Sequence, residues 1–221
     1  LLTSITAGLG NSYITESKEK NYTDLKKITF MFFWLTGMCT SCFLGIFQPF
    51  MRLWVGEKFL MGFSVVVCLC VYFYLYETTR LLNDFKNAGG IWHEDRFRPL
   101  ISAIVNLALN LISVNYIGIY GIVLSTIVAL AVIEIPWLLQ NIFTVMYDTS
   151  LFKDYFKMFV SWIIATVFSC VIIAVLTYKV TLSGWGAFAF FVVVSVLIPN
   201  IVFLLLMHRK EEFKLSISMV N

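Results

Sequence analysis

Charge is scarce in this chain. Only 13% of its 221 residues are Asp, Glu, Lys or Arg, against about 25% in soluble domains. That shortage excludes an ordinary soluble globular domain. It also excludes a disordered chain, which needs low hydrophobicity and high charge. The net charge is only +3, too small to indicate a nucleic-acid partner. Five cysteines, an odd number in a long apolar chain, are not a secreted disulfide framework. Histidine is limited to His93 and His208. No metal-ligand cluster, Ser/His/Asp set, Gly-rich phosphate loop or paired-carboxylate constellation is present. The expectation is therefore a protein that is not an enzyme, with no cofactor and no bound metal. No charged n-region or cleavage site precedes the first apolar run, so no signal peptide is expected.

What the chain has instead is apolar length. Sixty per cent of the residues are apolar, 17% are aromatic, and the mean hydropathy is +0.86. Six stretches are long enough to cross a bilayer, which takes about 20 residues of helix. They fall near Ile28–Phe50, Gly62–Thr79, Pro99–Ile117, Gly121–Val145, Phe156–Tyr178 and Gly184–Met207. Leu1–Gly10 is apolar but too short, and is expected to be the cut end of a helix whose beginning lies outside the chain. The third and fourth stretches are separated by Asn115–Gly121, where Gly118, Gly121 and Asn115 predict a tight helical hairpin. Pro99 fits a helix start and Pro49 a helix end, whereas Pro136 and Pro199 sit inside spans and are expected to kink them.

The basic residues set an orientation. The connections Asn11–Lys27, Arg80–Arg98, Met146–Lys157 and the tail from His208 hold 13 of the 16 Lys and Arg. The alternate connections hold only Arg52, Lys58 and Lys179. The positive-inside rule places the rich set, and the C-terminus, in the cytoplasm.

Within this frame five residues are candidates for a substrate pathway. Glu134 is the acidic residue deep in an apolar span, and an intramembrane carboxylate costs about 2.5–3.5 kcal/mol on insertion scales. It serves either ion coupling or substrate contact, or else a structural bond to a neighbouring helix. Asn106 and Asn110, four apart, share a helix face. With Ser102 and Ser113 they draw a polar stripe that either lines a watery path or glues helices together. Arg80 borders a span in the polar segment Glu77–Arg98, where Glu77 can pair with it. That segment reads either as a solvated cytoplasmic loop or as a basic mouth for lipid head groups or pyrophosphate. Arg52 is the corresponding candidate at the other side, with Trp54 as an interfacial anchor. Cys39-x2-Cys42 sits in apolar helix without a second pair, so its thiols read as small hydrophobes.

Several strings, taken in order, carry a resemblance. They are Gly8-Leu9-Gly10-Asn11, Gln48-Pro49-Phe50-Met51-Arg52-Leu53-Trp54-Val55-Gly56, Phe85–Trp92, Glu94-Asp95-Arg96-Phe97-Arg98-Pro99, Asn106-Leu107 with Asn110-Leu111, and Gly118-Ile119-Tyr120-Gly121 followed by Ser125-Thr126. In this order and spacing the chain resembles the polysaccharide (O-antigen or capsule repeat-unit) flippases of the multidrug/oligosaccharidyl-lipid/polysaccharide exporter superfamily. The resemblance covers residues 1–145. Residues 146–221 add two C-terminal transmembrane helices and a cytoplasmic tail. It implies an all-α integral membrane protein, a polytopic helical bundle of about six transmembrane helices plus the cut end of one more, similar to the second lobe of a two-lobed exporter.

The implied activity is movement of an undecaprenyl-pyrophosphate-linked oligosaccharide across the bacterial inner membrane by alternating access. The implied partners are the lipid-linked oligosaccharide, membrane lipids and a missing N-terminal lobe of the same chain, which would supply most of any cationic cavity. The alternatives are a drug or peptidoglycan-lipid-precursor exporter of the same superfamily, a membrane-embedded glycosyltransferase or acyltransferase centred on His93, Glu94 and Asp95, and a structural membrane subunit.

Overall fold

A computed structural model describes residues 2–179, 184–208, 210 and 213, with side chains from Gly8 onward. Every regular element among them is helical: α1 Leu2–Thr15, α2 Lys18–Trp54, α3 Phe63–Ala88, α4 Arg98–Ile117, α5 Ile119–Val128, α6 Ile135–Asn141, α7 Phe152–Lys179 and α8 Gly184–Met207. Two π-helical stretches, Ala129–Glu134 and Ile142–Met146, join α5 and α6 into one crossing that runs from Ile119 to Met146. Six helices are long and apolar enough to cross a membrane. The chain is thus an all-α polytopic bundle, and large exposed apolar side chains run along α4, α7 and α8. Apolar surface on that scale belongs in hydrocarbon rather than water.

The observed helices agree with the six expected spans, with two extensions. The segment Asn11–Lys27, expected as a polar connection, is helical except at Glu16 and Ser17. α2 begins ten residues before its apolar part, and ion pairs such as Lys20–Glu16 and Lys27–Asp24 support that polar region. α3 likewise continues past Thr79 to Ala88. Pro99 stands in the first turn of α4, where its missing N–H costs nothing, as expected. Pro136 stands in the first turn of α6, two residues after the first π-helical stretch ends at Glu134. Pro199 is accommodated within α8. The expected tail lies outside the described residues except for His208, Lys210 and Phe213.

The helices gather into two compact units interleaved along the chain. One contains the described residues of Leu1–Thr29 and Leu75–Phe156. Its core is built from Leu25, Leu81, Leu82, Phe85, Leu138, Ile142, Phe143 and Tyr155, all nearly inaccessible. The other contains those of Phe30–Tyr74 and Lys157–Asn221. There Trp162 stands edge-on to Phe30 at 4.7 Å and to Phe203 at 5.3 Å between ring centres. Small residues let these helices approach. A Cβ on Gly37 would lie 2.6 Å from both the Phe203 ring and the Thr166 hydroxyl. In lipid such close packing, not the hydrophobic effect, is what draws helices together.

Candidate functional site

The first unit contains a buried charge cluster. α3 delivers Asn83 and Lys86, the turn after it delivers Asp95, α4 begins with Arg98, and the Ile119–Met146 crossing delivers Glu134 and Asn141. Arg98 donates to both carboxylate oxygens of Asp95, through Nε at 2.7 Å and Nη2 at 2.8 Å. The same Nη2 donates to Asn83 Oδ1 at 2.8 Å, and Nη1 pairs with Glu134. Asp95 also receives Lys86 Nζ at 3.3 Å and Asn141 Nδ2 at 3.3 Å. Lys86, in turn, lies 4.2 Å from the centre of the Trp92 ring, a cation–π contact. Asp95 is 3%, Arg98 5% and Lys86 6% exposed. Two cations and two carboxylates balance, which is how buried charges are tolerated.

The local sequence explains the arrangement. Gly89-Gly90 ends α3, and Gly90 has φ +67°. The chain then turns back, and the Arg98 N–H donates to the Asp95 carbonyl at 3.2 Å. Asp95 and Arg98, three apart, therefore meet at the start of α4, where Pro99 fixes the first turn. Glu134 ends a π-helical stretch, and Pro136 two residues later withholds a backbone N–H. π-Helical turns are rare and occur frequently at functional sites.

Burial raises the Asp95 carboxyl pKa, but the hydrogen bonds and charges of Arg98, joined by Lys86, outweigh it and hold the group below its ordinary 3.8. A depressed carboxylate contributes stability above its unfolded pKa and loses it as pH falls through the folded value. The thermal unfolding midpoint in detergent is therefore expected to be insensitive to Asp95 from neutral pH down to about 5 and to drop below about 4. Asp95→Asn should lower the neutral midpoint and flatten that acid limb. An unchanged acid limb in the variant would rule out Asp95 as its source.

The five sequence candidates are distributed unevenly. Glu134 finds a partner, Arg98. Asn106 and Asn110 join one another, Asn110 Nδ2 lying 2.5 Å from Asn106 Oδ1, and Asn106 donates across to Thr126 at 3.3 Å. Ser113 and Ser125 hydroxyls meet at 2.9 Å. The polar stripe of α4 is thus a seam against α5. Its other face, with Leu100, Ile104, Leu107 and Leu111, is exposed. Arg80 is half exposed and pairs with Glu77 at 3.3 Å, as their spacing predicts. Arg52 is half exposed and pairs with Glu57 at 3.4 Å in the other unit.

Sequence reasoning missed Lys86, Asp95 and Arg98 as a set. The polar segment is not simply a solvated loop: His93, Glu94 and Arg96 are exposed, while Asp95 between them turns inward. Of the His93, Glu94 and Asp95 cluster on which an enzymatic reading rests, Asp95 is buried and the other two are exposed. The available signal was the Asp95-x-x-Arg98-Pro99 string, a carboxylate and a guanidinium one turn apart at a helix start. No family model matches the chain, and neither characterised proteins nor solved structures give a match to it.

Proposed function

We propose that the chain is part of a flippase that carries an undecaprenyl-pyrophosphate-linked oligosaccharide across the bacterial inner membrane by alternating access, with its C-terminus in the cytoplasm. The observation that carries this reading is the Glu134–Arg98 ion pair on a crossing interrupted by π-helical turns and Pro136. Ionisable groups inside membrane spans mark substrate or ion pathways and face partners or water. Interrupted helices are where transporters place such groups, because neighbouring groups and cavity water satisfy the freed backbone. The resemblance of the ordered strings to those of polysaccharide flippases suggests the substrate class.

In this reading the pair is a gate element. Glu134 neutralises Arg98 while the site is closed. A pyrophosphate approaching the cluster would compete for Arg98 and Lys86, both strong partners for phosphate oxygens. Neutralising the carboxylate should leave Arg98 to its remaining partners and bias the resting state. The test uses the full protein in proteoliposomes with a fluorescent lipid-linked oligosaccharide. Glu134→Gln is expected to slow transfer by about tenfold, the cost of losing one charge-assisted hydrogen bond of ~1.4 kcal/mol or more from the working cycle, with membrane insertion unchanged. Transfer at the wild-type rate by both Glu134→Gln and Glu134→Ala would remove Glu134 from the mechanism.

A further inference from the structure

A second cavity lies in the other unit, at the basic-poor ends of its helices. It has a volume of about 440 Å³, within the roughly 300–1,000 Å³ of small-ligand pockets. Its walls are apolar, with Leu53 of α2, Phe63 of α3, Ala174 of α7 and Phe191 of α8. Four polar side chains break that lining, Gln48, Arg52, Thr177 and Tyr178, and Thr177 is already engaged with the Ala174 carbonyl at 3.0 Å. Gln48 and Arg52 are one helical turn apart on the same face of α2 and both line the cavity. Gln48 donates its amide to the Met61 carbonyl at 2.5 Å, but its Oε1 is buried and has no hydrogen-bond partner among the described residues. Among the described residues Arg52 pairs with exposed Glu57 at 3.4 Å. Exposed pairs of this kind are worth little, so an anion can displace Glu57.

We infer that this cavity holds the head of an anionic glycerophospholipid bearing a hydroxyl, of the phosphatidylglycerol type. The phosphodiester meets the Arg52 guanidinium, the Gln48 amide turns so that its Oε1 accepts from a head-group hydroxyl, and the start of an acyl chain lies along Leu53, Phe63 and Phe191. The guanidinium, the amide oxygen and the apolar wall then each have a counterpart in one ligand. A buried acceptor without a donor is costly, and a hydroxyl removes that cost. A polyprenyl monophosphate, lacking a hydroxylated head, satisfies Arg52 but not Gln48. The proposal uses no residue of the Arg98 cluster, and it assigns Arg52, one of the five pathway candidates, to a resident lipid instead.

Native mass spectrometry of the delipidated full protein in detergent tests the assignment. Phosphatidylglycerol is titrated against phosphatidylcholine, phosphatidic acid and undecaprenyl phosphate. The wild type is expected to retain phosphatidylglycerol about tenfold over phosphatidylcholine, whose phosphodiester is offset by its own choline cation beside Arg52 and whose head has no hydroxyl for Gln48. Arg52→Gln should reduce that preference to below about twofold, and Arg52→Lys should keep part of it. Gln48→Leu should erase the preference for phosphatidylglycerol over phosphatidic acid and reduce, without abolishing, that over phosphatidylcholine. Glu57→Gln should strengthen binding by about two- to threefold by removing the competing carboxylate. The last effect has the opposite sign and does not depend on a destabilised variant. Equal retention of phosphatidylglycerol and phosphatidylcholine, indifference to Arg52→Gln, or displacement of phosphatidylglycerol by an equal concentration of undecaprenyl phosphate would each overturn the proposal.

Discussion

Arg98→Ala is expected to destabilise the protein by about 3–5 kcal/mol, the cost of removing one partner from a buried ion pair. The reason lies in what is left behind. Asp95 would keep Lys86 and Asn141, both at 3.3 Å, but would lose two shorter bonds from the guanidinium. Asn83 Oδ1 would lose its donor. Glu134, inside an apolar crossing, would lose the cation opposite it. Arg98→Lys should restore only part of the loss. An ammonium is a single point charge and cannot hold two carboxylates and an amide in one plane. Glu134→Gln should cost less than either, because Arg98 retains Asp95 and Asn83. Thermal and denaturant unfolding in detergent, followed by tryptophan fluorescence, gives the order. An Arg98→Ala protein within about 1 kcal/mol of wild type would mean that water reaches the cluster and screens it. The pair Arg98→Met with Glu134→Leu should recover only the part of the loss that comes from an unpaired Glu134, since Asp95 and Asn83 remain without the guanidinium. Under the flippase reading it should not recover transfer.

The bundle was legible in the sequence because the signals that specify it are local. Apolar runs, the glycines near Gly118 and the first-turn Pro99 each act on their own segment. The extensions of α2 and α3 were not legible from hydropathy, which is blind to helix stabilised by charged pairs such as Lys20–Glu16. The cluster was half legible. Glu134 stood out because a carboxylate in hydrocarbon demands an explanation, yet its partner lies 36 residues earlier in the chain and depends on the hairpin. Once Gly118 is taken as the turn, the register follows: Asp95 and Asn141 stand at equal chain distances on either side of it and do meet. Arg98 and Glu134 lie about one helical turn out of that register, and the long arginine side chain reaches across the difference. The burial of Lys86 depends on α3 continuing past its apolar run, and nothing in that run announces it.

That register rests on one close approach, and Gly121→Ala is expected to damage it. Gly118 turns the chain with φ +57°, a conformation open to glycine and costly to other residues. Three residues on, α5 lies directly against α4. A Cβ at Gly121 would stand 2.6 Å from the Ser113 carbonyl carbon, 2.7 Å from its oxygen and 2.9 Å from the Val114 nitrogen. These are backbone atoms of an intact helix and cannot swing aside. The helices must separate, and overpacking of this kind costs about 1–3 kcal/mol. The Ser113–Ser125 and Asn106–Thr126 bonds stretch with them. Gly89→Ala provides the contrast: its Cβ would meet Met146 Sδ and Cε, the flexible end of a side chain that has room to rotate. It should unfold within about 0.5 kcal/mol of wild type, as ordinary surface substitutions do. Combining Gly121→Ala with Glu134→Gln should cost less than the two single losses together. A hairpin already spread at its turn holds Glu134 less firmly against Arg98, so there is less pairing left to remove. Strict additivity in that double-mutant cycle would show that the seam and the ion cluster are independent.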